Sequence, residues 1–161
     1  MADALDEVDQ AILRILIHDG RTPAAQIAEE IGLSRPSVSE RIEKLEKSGV
    51  IRGITAVVDP AAVGRTVTAF ISARHSGRMP TKVERAFRAL VARDEILEVH
   101  TVAGDDCYLM KVRTDSIQSL NAIINTIAAA PISMTTRTTI VMDTYCEKVS
   151  GVDLTSAKVT S

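Results

Sequence analysis

The stretch that most constrains the fold is residues 23–49, PAAQIAEEIGLSRPSVSERIEKLEKSG. Ala24, Ile27, Ala28 and Ile31 recur at i, i+3, i+4 and i+7, the period of one buried helical face. Gly32 ends that helix, because a residue without Cβ enters the left-handed C-cap conformation at little cost. Ser34 is then a candidate N-cap accepting a backbone N–H, with Pro36 tolerated in the first turn of the helix it opens. Val38, Ile42 and Leu45 give this second helix a buried stripe. A linker as short as Gly32-Leu33 forces a sharp helix-turn-helix corner. The arc turned outward carries Pro36, Ser37, Glu40, Arg41, Lys44 and Lys47. Such a helix can lie in a DNA major groove with its N-terminal side chains toward the base edges. An ordinary helical hairpin with a charged solvent face is the alternative this stretch leaves open.

The flanking residues complete a domain. Asp6, with Asp9 three residues on, predicts a capping-box start for a preceding helix. The apolar face of that helix is Val8, Ala11, Ile12, Ile15 and Leu16, and it ends near His18-Asp19-Gly20. His18 in the last turn suits the negative end of the helix dipole. Thr22 is the expected N-cap of the next helix, with Pro23 at its first position. Three helices whose stripes close on one another make a (winged) helix-turn-helix domain over residues 1–52. After Gly49 the period changes. Ile54-Thr55-Ala56-Val57-Val58, bounded by Gly53 and Asp59-Pro60, predicts a strand leaving the domain and then a hinge, so residues 53–65 form the linker.

The remainder alternates strand, helix, strand, strand, helix, strand. The strands are expected at Thr66 to Arg74, Ile96 to Val102, Cys107 to Arg113 and Ser133 to Asp143. One helix runs from Lys82 to Ala92 with Thr81 as its cap and Val83, Ala86, Phe87, Leu90 and Val91 as its stripe. The other follows Asp115-Ser116 through Ile117, Leu120, Ile123, Ile124 and Ile127, and stops at Ala130-Pro131. The order βαββαβ predicts a ferredoxin-like α+β domain over residues 66–148, an antiparallel four-stranded sheet with both helices on one face. Strands this apolar imply that the opposite face is covered, most simply by a second copy of the chain, so a dimer is expected. Residues 149–161 are small and polar and read as a disordered tail.

With two Phe, two Tyr and no Trp, the cores must be built from Ile, Val, Leu and Ala. A formal net charge of −2 does not announce a nucleic-acid binder. Local positive charge, doubled in a dimer, can still supply the phosphate contacts. No apolar run approaches the ~20 residues that span a bilayer, and the acidic start MADALDEVDQ is unlike a secretory signal, so no membrane partner and a cytoplasmic location are expected. Cys107 and Cys146 fit neither metal spacing nor a disulfide framework. No cofactor, metal or catalytic residue is assigned.

Several separated segments together resemble the leucine-responsive regulator/AsnC (Lrp/AsnC) family of bacterial and archaeal transcription regulators, over essentially residues 5–148. LDEVDQAILRIL followed by DGR, and IGLSRPSVSERIEKLEKSGVIRGITAVVDP, look like its DNA-binding half. HTVAGDDCYLMKVR and TTRTTIVM look like its ligand-sensing half. The resemblance implies a regulator that binds double-stranded DNA as a homodimer, often assembling to an octamer, with an amino acid or related metabolite modulating assembly or DNA affinity.

Carried over residue by residue, the recognition helix is Ser34 to Lys47. Ser34 stands at the usual capping Ser and Arg41 at the usual Arg. Ser37, Glu40 and Arg41 are the candidates to approach bases, where Arg can read guanine and Glu can accept from cytosine. Arg35 and Lys44 are candidates for phosphate. An i, i+4 surface pair is the alternative role for Glu40 and Lys44. The implied effector loop is Gly104, Asp105, Asp106, Cys107 and Tyr108, with Thr136 and Thr138 near the ligand across a neighbouring subunit. The sequence departs from the family here. Cys107 stands where Asp is usual, and Asp106 comes one place earlier. A thiol at a strand edge reads as a small buried hydrophobe. Two other functional classes are compatible with this architecture: a sirohaem-decarboxylase-like enzyme, and an architectural DNA-binding protein without an effector.

Overall fold

The computed structural model describes residues 5–77 and 80–148. The chain divides into two compact units, the first reaching Val57 and the second spanning Val58–Tyr145. The described residues beyond Tyr145 group with the first unit, short of the predicted boundary at 148. The tail assigned to residues 149–161 lies outside the described residues.

The first unit is three helices, α1 (Glu7–His18), α2 (Ala24–Ile31) and α3 (Arg35–Lys47). Asp6 caps α1 in a full capping box, its Oδ1 accepting from Asp9 N at 2.7 Å. Gly32 ends α2 in the left-handed region (φ 71°, ψ 32°), and Leu33 N donates to Ala28 O at 2.9 Å, closing the turn. Ser34 opens α3, its Oγ accepting from Ser37 N at 3.3 Å. The core is Ile12, Leu13, Ile27, Ala28, Val38 and Leu45. Leu13 belongs to it although the sequence reading omitted it from the α1 face.

Three local expectations are corrected. Thr22 does not cap α2: Pro23 holds the N-cap position, and the Thr22 hydroxyl donates back to Asp19 O at 2.9 Å. Residues 54–58 form no strand, because a β-branched run needs a ladder partner and finds none among the described residues; Ile54, Val57 and Val58 stay exposed. For the same reason no wing follows α3.

The second unit begins with a short 3-10 turn, Ala61–Val63, and continues as β1 (Val67–Arg74), α4 (Thr81–Val91), β2 (Ile96–Thr101), β3 (Tyr108–Thr114), α5 (Ile117–Ala128) and β4 (Thr135–Ile140). The sheet order is β2-β3-β1-β4, all antiparallel, as βαββαβ predicts. Ser116 caps α5, whereas Pro80 rather than Thr81 precedes α4 and no side chain caps it. Ala69, Ile71 and Ala73 of β1 and Met110 and Val112 of β3 point to one face, where Phe87 and Leu90 of α4 and Leu120, Ile123 and Ile127 of α5 cover them.

The opposite face differs from the expected broad apolar patch. Alternation places Thr68, Phe70, Ser72, Leu109, Lys111, Arg113 and Arg137 there, and only Phe70 among them is a large exposed hydrophobe. The buried hydrophobic residues of β1 and β3 are on the helix side.

Candidate DNA-binding helix and effector hairpin

The helix α3 presents Arg35, Ser37, Glu40 and Lys44 to solvent, together with Ser34 at its cap. The Ser34 and Ser37 hydroxyls are 2.9 Å apart and share a hydrogen bond. Glu43 and Lys47 form an i, i+4 ion pair, whose cation holds the Glu43 carboxyl below its ordinary range. Arg35 and Lys44 are thus carried outward on a helix with Lys47 in its last turn.

Arg41 behaves differently from the other candidates. Its Nη1 lies 2.6 Å from Asp6 Oδ2 and 2.7 Å from Asp9 Oδ1, so one nitrogen bridges two carboxylates of α1. The hydrogen bonds to Asp6 and then Asp9 hold the guanidinium pKa above its usual value. Asp6 is depressed, first by the backbone N–H of Asp9 and then by Arg41. A sequence signal for this was present. Arg41 is three residues after buried Val38 and four before buried Leu45, so it stands beside the core stripe rather than on the outward arc. Asp9 likewise sits three before Ile12 and four before Leu13, and its side chain is 14% exposed.

In the second unit, Val102 N donates to Cys107 O at 3.0 Å, closing the hairpin between β2 and β3 around residues 103–106. Gly104 takes φ 136°, a region that side-chain-bearing residues rarely enter, and it is exposed beside Asp105. Asp106 turns back toward the sheet, where Arg137 Nη2 donates to its Oδ2 at 2.8 Å. Cys107 is half-buried rather than fully buried, its N donating to Ala73 O at 3.0 Å and its Sγ 3.7 Å from His75 O. The Tyr108 ring lies 4.7 Å from that of Phe87 on α4.

The register explains which predicted residues meet. Ala73 pairs with Tyr108 on one side and Thr136 on the other, and Ile71 pairs with Met110 and Thr138. Tyr108 and Thr136 are therefore two strand spacings apart, about 10 Å, on the helix-covered face. Both threonines are half-buried. Arg137, between them, points to the other face and reaches Asp106. The sequence reading missed Arg137. A cation alternating with two threonines on a strand beside an acidic hairpin was its only signal. Asp105 and Gly104 are not gathered with this group.

Both cysteines are free, and among the described residues no three His, Cys, Asp or Glu side chains are placed to hold a metal. No helix among them is long and apolar enough to cross a membrane.

A tri-helical DNA-binding unit followed by a βαββαβ unit with a polar hairpin defines a two-domain ligand-binding regulator. Residues 5–46 match the AsnC-type helix-turn-helix domain, and residues 68–150 match the Lrp/AsnC ligand binding domain. The chain is 37% identical over 147 residues to the HTH-type transcriptional regulator FL11 of Pyrococcus abyssi, covering 91% of this chain and 95% of that protein. It is 32% identical over 145 residues to the regulator LrpA of Mycobacterium tuberculosis, covering 90% and 95%. A crystal structure of the Mycobacterium tuberculosis leucine response regulatory protein superposes with a TM-score of 0.77 at 30% identity, over 89% of this chain and 97% of that one. A Neisseria meningitidis transcriptional regulator solved as its L-Met complex shares the fold, with a TM-score of 0.82 at 22% identity over 94% and 98%. The chain belongs to the Lrp/AsnC family of DNA-binding transcriptional regulators.

Proposed function

We propose that this regulator reads DNA with the N-terminal half of α3 and senses an α-amino acid, or a metabolite carrying the same ammonium and carboxylate, at the Gly104–Tyr108 hairpin. The observation that carries the reading is Asp106. It is a half-buried carboxylate in the hairpin of a ligand-binding domain, two residues before Tyr108, and its Oδ2 is held by Arg137, the neighbour of Thr136 on β4. A carboxylate suits a ligand ammonium, and the hairpin amides around Gly104 suit a ligand carboxylate. Arg35 and Lys44 contact phosphates, while Ser37 and Glu40 approach bases. Thr138 lies two pairs further along the strand, on the same face as Thr136. The protein works in the cytoplasm as a homo-oligomer, a dimer that assembles to an octamer. The exposed Ile54–Val58 run, without a ladder partner among the described residues, and exposed Phe70 support that assembly.

A thermal-shift screen of the twenty amino acids tests the sensor. A ligand that binds only the folded state at 100 times its dissociation constant adds about 2.7 kcal/mol of apparent stability. One clear hit, lost in Asp106→Ala and accompanied by a change in mass by light scattering, supports the reading. Silence across all twenty defeats amino-acid sensing and leaves an effector-free DNA-binding protein. In that event Cys107→Asp, which places a carboxylate at the family's usual position, reports whether the substitution removed the response.

A further inference from the structure

We infer that Arg41 is a positioning residue for DNA recognition: it does not read a base but fixes the seat of α3 on α1 through Asp6 and Asp9. The inference rests on α3 being the DNA-reading helix. Three observations carry it. The Arg41 Nη1 is shared between Asp6 Oδ2 at 2.6 Å and Asp9 Oδ1 at 2.7 Å, so the head group is turned toward α1. The side chain leaves α3 from the edge of the Val38–Leu45 stripe and is half-buried, whereas Ser37 and Glu40 are exposed. Its partners are themselves fixed. Asp6 and Asp9 form the reciprocal capping box of α1, with Asp9 N donating to Asp6 Oδ1 at 2.7 Å and Asp6 N to Asp9 Oδ2 at 3.4 Å. The start of α1 and the middle of α3 are thereby locked to one another by a single cation.

Such a lock matters for sequence reading because base contacts tolerate little displacement. A helix that rocks in the groove keeps its phosphate contacts and loses its base discrimination. The acidic pair would otherwise be a liability in a protein that must approach phosphate, since two carboxylates near the recognition helix repel the backbone. Arg41 offsets one of the two charges, keeping the cap and lessening the repulsion.

The test separates a positioning role from a base-reading one by opposite signs. The probes are a duplex selected from a random library by the wild-type protein and a scrambled duplex of the same length. The wild-type preference between the two duplexes tests DNA reading by the protein, and the variants test the lock. Asp6→Asn with Asp9→Asn retains capping ability, since Asn caps as well as Asp, and removes both charges. The expected result is a specific-to-scrambled affinity ratio lowered by about tenfold, with scrambled binding unchanged or stronger. Arg41→Gln lowers the ratio similarly, and the triple variant is no worse than Arg41→Gln alone. Leu13→Val, which thins the same core without touching the ion pair, calibrates how much preference falls through lost stability. At a matched melting midpoint the acidic variant must lose more. An acidic variant that binds its selected duplex as well as or better than wild type overturns the inference. So does a loss no greater than that of Leu13→Val.

Discussion

Replacing Ile27 with alanine exposes how little holds the DNA-binding unit together. The helix α2 has eight residues and buries only Ile27 and Ala28. A helix that short has no independent stability in water, so its place depends on tertiary packing. Ile27 is 0% exposed and belongs to a core with five other buried side chains. Ile→Ala removes three carbons, about 2.4 kcal/mol of transfer free energy at ~0.8 kcal/mol each. The cavity left behind brings the cost to about 3–4 kcal/mol, inside the range of ~2–5 kcal/mol for such truncations. A core in a unit of this size rarely supplies more than about 3–5 kcal/mol. The substitution therefore takes the unit to the edge of unfolding at 25 °C while leaving the sheet unit, whose core contains none of these residues, intact. Urea unfolding followed by far-UV circular dichroism should show an early transition carrying part of the helical signal and a later one at its wild-type midpoint. DNA binding should be lost in step with the first. A variant that unfolds in a single transition at an unchanged midpoint refutes both the magnitude and the independence of the two cores.

Three further outcomes follow from local geometry. Ser34→Ala removes the side chain that accepts from Ser37 N and costs about 1 kcal/mol, a fall of about 4–8 °C in the melting midpoint of a unit this small; an unchanged midpoint by calorimetry would show the cap to be idle. Gly104→Ala adds a Cβ that meets nothing within 4 Å, so its cost, about 1–3 kcal/mol, is purely the backbone strain of φ 136° and should appear in the midpoint of the sheet unit alone. Asp6 has a folded pKa below its ordinary 3.8, so its contribution is present above that value and is lost as the pH falls through the lower folded value; titration to acid should destabilise the helical unit more in wild type than in Asp6→Asn, and parallel curves would contradict the assignment.

How much of this was legible in the sequence varies with how local the cause is. The capping box at Asp6, the Gly32 corner and the Ser34 cap each depend on a few neighbouring residues, and each stands where its spacing puts it. The βαββαβ order was equally readable, because short strand-like runs alternated with clean helical stripes. Apart from the caps expected at Thr22 and Thr81, where a neighbouring proline holds the N-cap position, the main misses depend on partners distant along the chain. Ile54–Val58 has strand composition but no ladder partner among the described residues. The partners of Arg41 are 35 and 32 residues away, and the Arg137 bond to Asp106 spans 31. Even so, the position of Arg41 against Val38 and Leu45 held the hint that it leans inward. For the hairpin at residues 103–106, the candidate role came from the family resemblance rather than from the residues themselves, and the orientation of Asp106 depended on a partner on β4, which no single strand specifies.

The ring pair at the end of the sheet gives the chain a built-in optical probe. There is no tryptophan, and of the two tyrosines Tyr145 is 98% exposed while Tyr108 is half-buried against Phe87. A phenol held at a fixed angle to a neighbouring ring in an asymmetric setting contributes near-ultraviolet dichroism, and a freely rotating one contributes almost none. The 280 nm dichroism of the unmodified protein is therefore a report on one residue, Tyr108, at the base of the hairpin between β2 and β3. A change in the setting of that ring can be followed on the native chain without attaching a label.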